Sequence, residues 1–124
     1  PEIYAKNYLY KRGVRYKESK NKLIGKPDLV IKKYKLTLFV HGCFWHAHEN
    51  CKHFRYPKTN TEFWEDKIKG NVVRDKIVVE ALEKMKFHVF IIWECDIKKK
   101  NFEVLDQFVN KYNQIRFQSN LSSN

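Results

Sequence analysis

Apolar positions along the chain fall first into a helical rhythm and then into a strand rhythm. Between Glu2 and Arg12, Tyr4 pairs with Tyr8 and Ala5 with Leu9 at four-residue spacing. Gly13 follows where a helix end takes left-handed backbone, so the spacing predicts a helix that stops there. Val14–Tyr16 predicts a short strand and Lys17–Gly25 a polar loop. Leu29-Val30-Ile31 and Leu36-Thr37-Leu38-Phe39-Val40 are apolar and β-favouring, and Lys32–Lys35 between them suits a tight hairpin.

Helical spacing returns near Thr61, whose hydroxyl is placed to cap a helix and whose neighbour Glu62 suits the first turn. Phe63, Trp64, Ile68, Val72 and Val73 supply its expected apolar side; Gly70 predicts a bend or break, with a second helix running on to Met85 through Ile77, Ala81 and Leu82. Phe87–Trp93 is continuously apolar, as a buried strand would be. Phe102, Leu105, Phe108, Val109 and Tyr112 mark a last amphipathic helix, and the Ser/Asn/Gln-rich end from Gln118 predicts fraying. The chain shows neither an internal repeat nor an interdomain linker. This order gives an α/β fold with a small mixed sheet and helices on both faces. The expected organisation is one domain over residues 1–117 and a frayed tail over 118–124.

At 124 residues the chain can bury a core, yet it is small enough to gain from a metal staple. A hydrophobic content of 43% excludes disorder, and no apolar run approaches a membrane span. Lys and Arg number 25 against 14 Asp and Glu, a net charge of +11 spread along the chain, which points to a polyanion and most simply to nucleic acid.

Candidate chemistry concentrates in His41-Gly-Cys-Phe-Trp-His46-Ala-His48-Glu-Asn-Cys51, which holds three of five histidines and two of three cysteines. Cys43-x4-His48-x2-Cys51 together with the distant Cys95 makes four ligands of the kind that close a tetrahedral zinc site, although iron suits such a set too. The alternative set takes His46 as the fourth ligand and leaves His48 on the surface. Three cysteines cannot all pair, and no secretory signal opens the chain, so an oxidised disulfide framework is not expected. Pro27-Asp28 opens one strand and His41 ends the next, and a carboxylate at a strand mouth can hold Mg²⁺ with its waters and phosphate oxygens.

Gly25-Lys-Pro-Asp28, His41-Gly-Cys-Phe-Trp-His46, Thr61-Glu-Phe-Trp64, Lys67-Ile68, Asn71-Val-Val-Arg-Asp75 and Trp93-Glu-Cys95 together resemble the very-short-patch repair endonucleases. The resemblance runs in order from Pro1 to Cys95, about three quarters of the chain. It implies a restriction-endonuclease-like fold, structural Zn²⁺ on Cys43, His48, Cys51 and Cys95, and Mg²⁺-dependent nicking of double-stranded DNA beside a T:G mismatch. Carried over by position, it implies that Asp28 holds the Mg²⁺ and that Val40, where the family has threonine, offers its backbone carbonyl to the ion. His41 would steady the phosphate charge, His46 would serve as general base, and Asp75 would orient it. Phe44 and Trp45 would wedge between base steps, and Lys67 and Asn71, four apart on one helix face, would contact base edges.

Glu2 matches an acid of the family near its active site. The family's N-terminal arm, which reaches the minor groove, has no counterpart ahead of Pro1; either the chain is trimmed or it works without one. The resemblance also implies a bacterial cytoplasmic, nucleoid-associated monomer, with other mismatch-repair proteins as partners. Two other classes fit the same residues: a related restriction or nicking endonuclease with another recognition sequence, and a zinc-stapled DNA-binding module without catalysis.

Overall fold

The computed structural model describes residues 1–17 and 22–122. Helix α1 (Glu2–Lys11) buries Ala5 and Leu9 and closes as the Gly13 signal predicts. Gly13 has φ of +93°, its N–H donates to the Tyr10 carbonyl, and the Val14 N–H donates to that of Leu9. That pair of bonds satisfies carbonyls the helix end would leave bare. Val14 is fully buried beneath the turn, but Val14–Tyr16 forms no strand. The three residues are used up in leaving the helix end and reaching the core. The expected loop at 17–25 lies partly outside the described residues.

Strands β1 (Leu29–Ile31) and β2 (Leu36–His41) pair antiparallel through a single 3₁₀ turn over Lys32–Tyr34, which Lys35 closes in left-handed backbone at φ of +54°. After helix α2 (Thr61–Lys84), strand β3 (His88–Trp93) pairs parallel with β2, so the sheet order is β1-β2-β3. Helices α3 (Glu94–Lys98) and α4 (Glu103–Ser122) follow. Only β2 is central, and it alone is buried nearly throughout. The apolar run predicted a wholly buried β3, but β3 is an edge strand: His88 is exposed, and Ile92 is the one residue of the strand that is fully buried.

Side-chain alternation sorts the three strands onto two faces. Leu29, Ile31, Leu36, Leu38 and Ile92 pack with α1 and α4 (Ala5, Leu9, Leu105, Phe108). Val30, Phe39, Val89 and Ile91 pack with Val78 and Leu82 of α2. Asp28 and His41 extend this second face at the mouth of the β1–β2 pair, which places both toward α2.

Helix α2 departs from the expectation in three ways. It is continuous through Gly70, where a β-carbon would meet nothing within 4 Å, so the glycine weakens the helix without breaking it. Its cap is Asn60 in left-handed backbone; the Thr61 hydroxyl points back and donates to the carbonyls of Pro57 and Lys58. Of the expected apolar side, Trp64, Ile68 and Leu82 do turn inward, but Phe63, Val72, Val73 and Ile77 are exposed. Trp64, Ile68, Asn71, Asp75, Val78 and Leu82 recur at alternating four- and three-residue spacing and are the less exposed residues. Two of those six are polar, which hides the stripe from a reading of apolar periodicity. At the other end of the chain, α4 extends to Ser122, and the last two residues of the tail expected over 118–124 lie outside the described residues.

Candidate active site and metal centre

The strand mouth fixes Asp28 from both sides. Its own N–H donates to the Leu38 carbonyl at 2.9 Å, and its Oδ2 accepts the Val40 N–H at 2.6 Å. The carboxyl pKa is raised, chiefly by burial; the Val40 N–H, Lys6 and His46 pull it back down, while Glu2 pushes it further up. Glu2 therefore lies within electrostatic reach of Asp28, and it is held at 2.9 Å by Lys6 one helical turn on. A carboxylate that ionises at a cost, faces a cleft and has oxygen to spare suits a hard divalent cation that keeps most of its waters. Val40 lines the same cleft, which has a volume of about 330 Å³ and also admits His41, His46 and Asp75. Gly25 closes one wall at φ of +77°, where a β-carbon would run into Val78.

Residues from three elements meet across this cleft. The His46 Nδ1 lies 2.6 Å from Oδ2 of Asp75 on α2. A carboxylate can only accept, so the neutral tautomer that fits this contact carries its hydrogen on Nδ1 and leaves the lone pair on Nε2. His41, only 7% exposed, stacks on His46 with ring centroids 3.8 Å apart and planes 6° from parallel. Burial, and then the neighbouring His46, lower the His41 pKa to about 4, against a pull upward from Asp75. At neutral pH His41 is thus an uncharged N–H donor, not the cation that a lysine in its place would be. Its Nδ1 is buried without a hydrogen-bond partner among the described residues.

The loop after β2 brings together a second set. Ligand atoms of Cys43, His48, Cys51 and Cys95 all lie within 4.8 Å of one another, and the Cys95 Sγ is 3.4 Å from the His48 Nδ1. His48, not His46, joins the cysteines; His46 belongs to a separate group with His41 and Asp75. Burial first, and then the other two sulfurs, push the Cys95 thiol up to about 12. Cys43 is raised for the same first reason. In Cys51 burial also raises the pKa, but the His53 backbone, the neighbouring sulfurs and Lys99 together outweigh it and bring it down. Three thiols that cannot all ionise together become compatible once a soft dication sits among them, so this group could hold a metal.

Trp93, quoted in the sequence only as part of a motif, joins the two groups. Its ring stacks on His48 at 4.0 Å and 9°, and meets His41 edge-on at 5.2 Å. Sequence reasoning also passed over Lys26 and Arg74, two cations of the cleft wall. Both could have been found by their places in the quoted motifs, Arg74 one residue before Asp75 and Lys26 two before Asp28.

Phe44 and Trp45 project from the same loop, with Trp45 47% exposed. They meet edge to face at 5.2 Å, and both lean on Trp64 of α2, at 5.6 and 5.9 Å. Asn71 sits below them: its Nδ2 donates to the Trp45 carbonyl at 3.0 Å, and its Oδ1 accepts from Arg74. One amide hydrogen of Asn71 is thus spent on holding the loop. Lys67, one turn earlier, is exposed on the same helix.

Comparison of the sequence with known proteins points to one family. The pattern of the family described as DNA mismatch endonuclease Vsr matches residues 1–53. The chain is similar to the type II nicking enzyme V.NmeAIP of Neisseria meningitidis, with 43% identity over 100 residues, 81% of this chain and 71% of that one. It is similar to DNA mismatch endonuclease Vsr of Escherichia coli, with 40% identity over 87 residues, 70% of this chain and 55% of that one. The type II nicking enzyme V.XorIIP of Xanthomonas oryzae is 36% identical over 97 residues, 78% of this chain and 71% of its own.

Proposed function

This chain belongs to the Vsr family of DNA endonucleases, and from that premise we propose that it nicks one strand of duplex DNA beside a T:G mismatch. The observation that carries the proposal is the His46–Asp75 pair at 2.6 Å, opening onto the same cleft as Asp28. A binding module has no use for an oriented imidazole beside a half-buried carboxylate, so the non-catalytic reading is set aside.

In the proposed reaction, the His46 Nε2 takes a proton from the attacking water while Asp75 holds the ring and steadies the imidazolium that forms. His41 donates an N–H to a phosphate oxygen as charge develops there, and Lys26 and Arg74 draw the backbone into the cleft. Asp28 and the Val40 carbonyl would hold Mg²⁺, which when bound neutralises charge on the phosphate and the leaving oxygen. Cys43, His48, Cys51 and Cys95 would hold Zn²⁺, tying the loop after β2 to the start of α3. Phe44 and Trp45, braced by Trp64, would enter between base steps, and Lys67 with the remaining amide hydrogen of Asn71 would face the mismatched pair. The monomer would act in the bacterial nucleoid, where other mismatch-repair proteins could meet it.

A second reading keeps the chemistry and changes the target, because two of these relatives are named type II nicking enzymes. Nicking assays on otherwise identical duplexes carrying T:G, T:A or C:G at one position separate the two. The repair reading expects Mg²⁺-dependent single-strand cuts confined to the T:G duplex, and equal cutting of paired duplexes would overturn it.

A further inference from the structure

A second concave surface lies at the opposite end of β2 from the cleft. The cleft gathers around Val40 and His41, whereas this groove, of about 770 Å³, is framed by Val30, Ile31 and the 3₁₀ turn beside Leu36. Five strand steps separate the two, about 17 Å at the usual rise per residue. The groove's charged lining is entirely cationic: Arg15, Lys17, Lys32, Lys33 and Arg116, with no carboxylate among the described residues.

Its aromatic floor is built rather than incidental. Tyr112 is buried, and its hydroxyl accepts the Arg15 N–H at 3.2 Å and donates to the Arg15 carbonyl at 3.3 Å. The Tyr34 ring meets it edge-on at 5.3 Å and is itself only partly buried. Arg15 is held by the Tyr10 and Val14 carbonyls and lies 3.8 Å over the Tyr10 ring. The other cations stand on the turn, on α4 and on the segment after α1, around that floor.

We propose that this groove binds single-stranded DNA, independently of the nicking cleft. A row of cations beside a tyrosine face is the combination that holds a sugar-phosphate strand and stacks its bases without reading their edges. A single strand is favoured over a duplex because only an unpaired base can turn its face to an aromatic ring. The cationic lining among the described residues sets the sign of the ligand. The Lys33 Nζ lies 5.2 Å over the partly buried Tyr34 ring, the aromatic surface on which a base would take that cation's place.

The test is fluorescence anisotropy with a labelled eight-nucleotide oligothymidylate and the intact chain, in Mg²⁺-free buffer. Binding is expected to persist when an unlabelled T:G duplex saturates the cleft. The double substitution Lys33→Glu/Arg116→Glu should weaken it by tenfold or more, and the salt slope should fall by about 0.7 for every phosphate that the variant no longer neutralises. Tyr34→Leu should weaken it roughly tenfold, with a shallower change in salt slope than the charge reversals. Nicking of a short duplex should stay within about twofold in both variants, which separates failure here from failure of the cleft assignment. Displacement of the oligothymidylate by the duplex, or unchanged binding in the charge-reversed variant, would overturn the proposal. So would a paired duplex that is held more tightly than the single strand and loses affinity to the same reversals.

Discussion

At the scale of single residues, burial shifts the two groups at the strand mouth against their charged forms, raising the Asp28 pKa and lowering that of His41. Asp28 ionises at a cost that the proposed Mg²⁺ would offset, so its removal should strike the metal step and leave affinity to the lysines and arginines. Asp28→Ala is expected to abolish Mg²⁺-dependent nicking while the dissociation constant for duplex DNA changes by less than about threefold, as read by parallel cleavage and gel-shift titrations. His41 gives a pH prediction. Its pKa of about 4 lies below the usual 6.5, so between those values the unfolded chain binds the proton and the folded chain does not. The contribution of this ring to stability is therefore full above about pH 6.5 and is lost as the pH falls toward 4. Denaturant titrations of metal-loaded protein from pH 7.5 to 5 should show a shallower acid decline in His41→Gln than in the parent chain. Parallel declines would remove His41 from the account.

At the scale of elements, α2 carries the fold and the cleft on one stripe, and its glycine is open to test. With nothing within 4 Å of a β-carbon at position 70 and an uninterrupted helix around it, Gly70→Ala should raise stability by about 0.5–1 kcal/mol. Gly25→Ala should do the reverse, because its backbone is left-handed and Val78 occupies the space. Equilibrium unfolding of the two variants reads both signs. The same helix separates what the amino-acid sequence makes legible from what only tertiary contacts decide. Leu29–Ile31, Leu36–His41 and the Gly13 stop were legible because each rests on a short β-favouring apolar run beside a polar turn or on one residue's backbone freedom. The α2 stripe was not, since Asn71 and Asp75 break its apolar rhythm, and they face inward only because Trp45 and His46 on another segment supply their partners. The edge position of β3 was hidden for a similar reason: an apolar run does not say how many strands lie beyond it. The grouping of His48 with the cysteines, and of His46 with Asp75, depends on a loop whose spacing alone allowed either histidine to join the sulfurs.

At the scale of the whole molecule, the Cys/His group and the proposed nicking cleft share one loop and touch through Trp93, so a metal in the first should support the second without taking part in it. Stripping the metal should lower the melting temperature by at least roughly 10 °C, and rebinding Zn²⁺ at pH 7 should release more than one proton per ion, because burial keeps Cys43 and Cys95 protonated in its absence. Calorimetry in two buffers of different ionisation enthalpy counts those protons. The central claim is that His46, oriented by Asp75, activates water in the cleft and stands apart from the metal group. The most direct test is the single-turnover nicking rate of His46→Ala on a T:G duplex, with zinc content measured on the same sample. The account predicts a rate lower by roughly two to four orders of magnitude at full zinc occupancy and unchanged DNA affinity. Near-parent nicking, or a loss of zinc that accompanies the loss of rate, would contradict it.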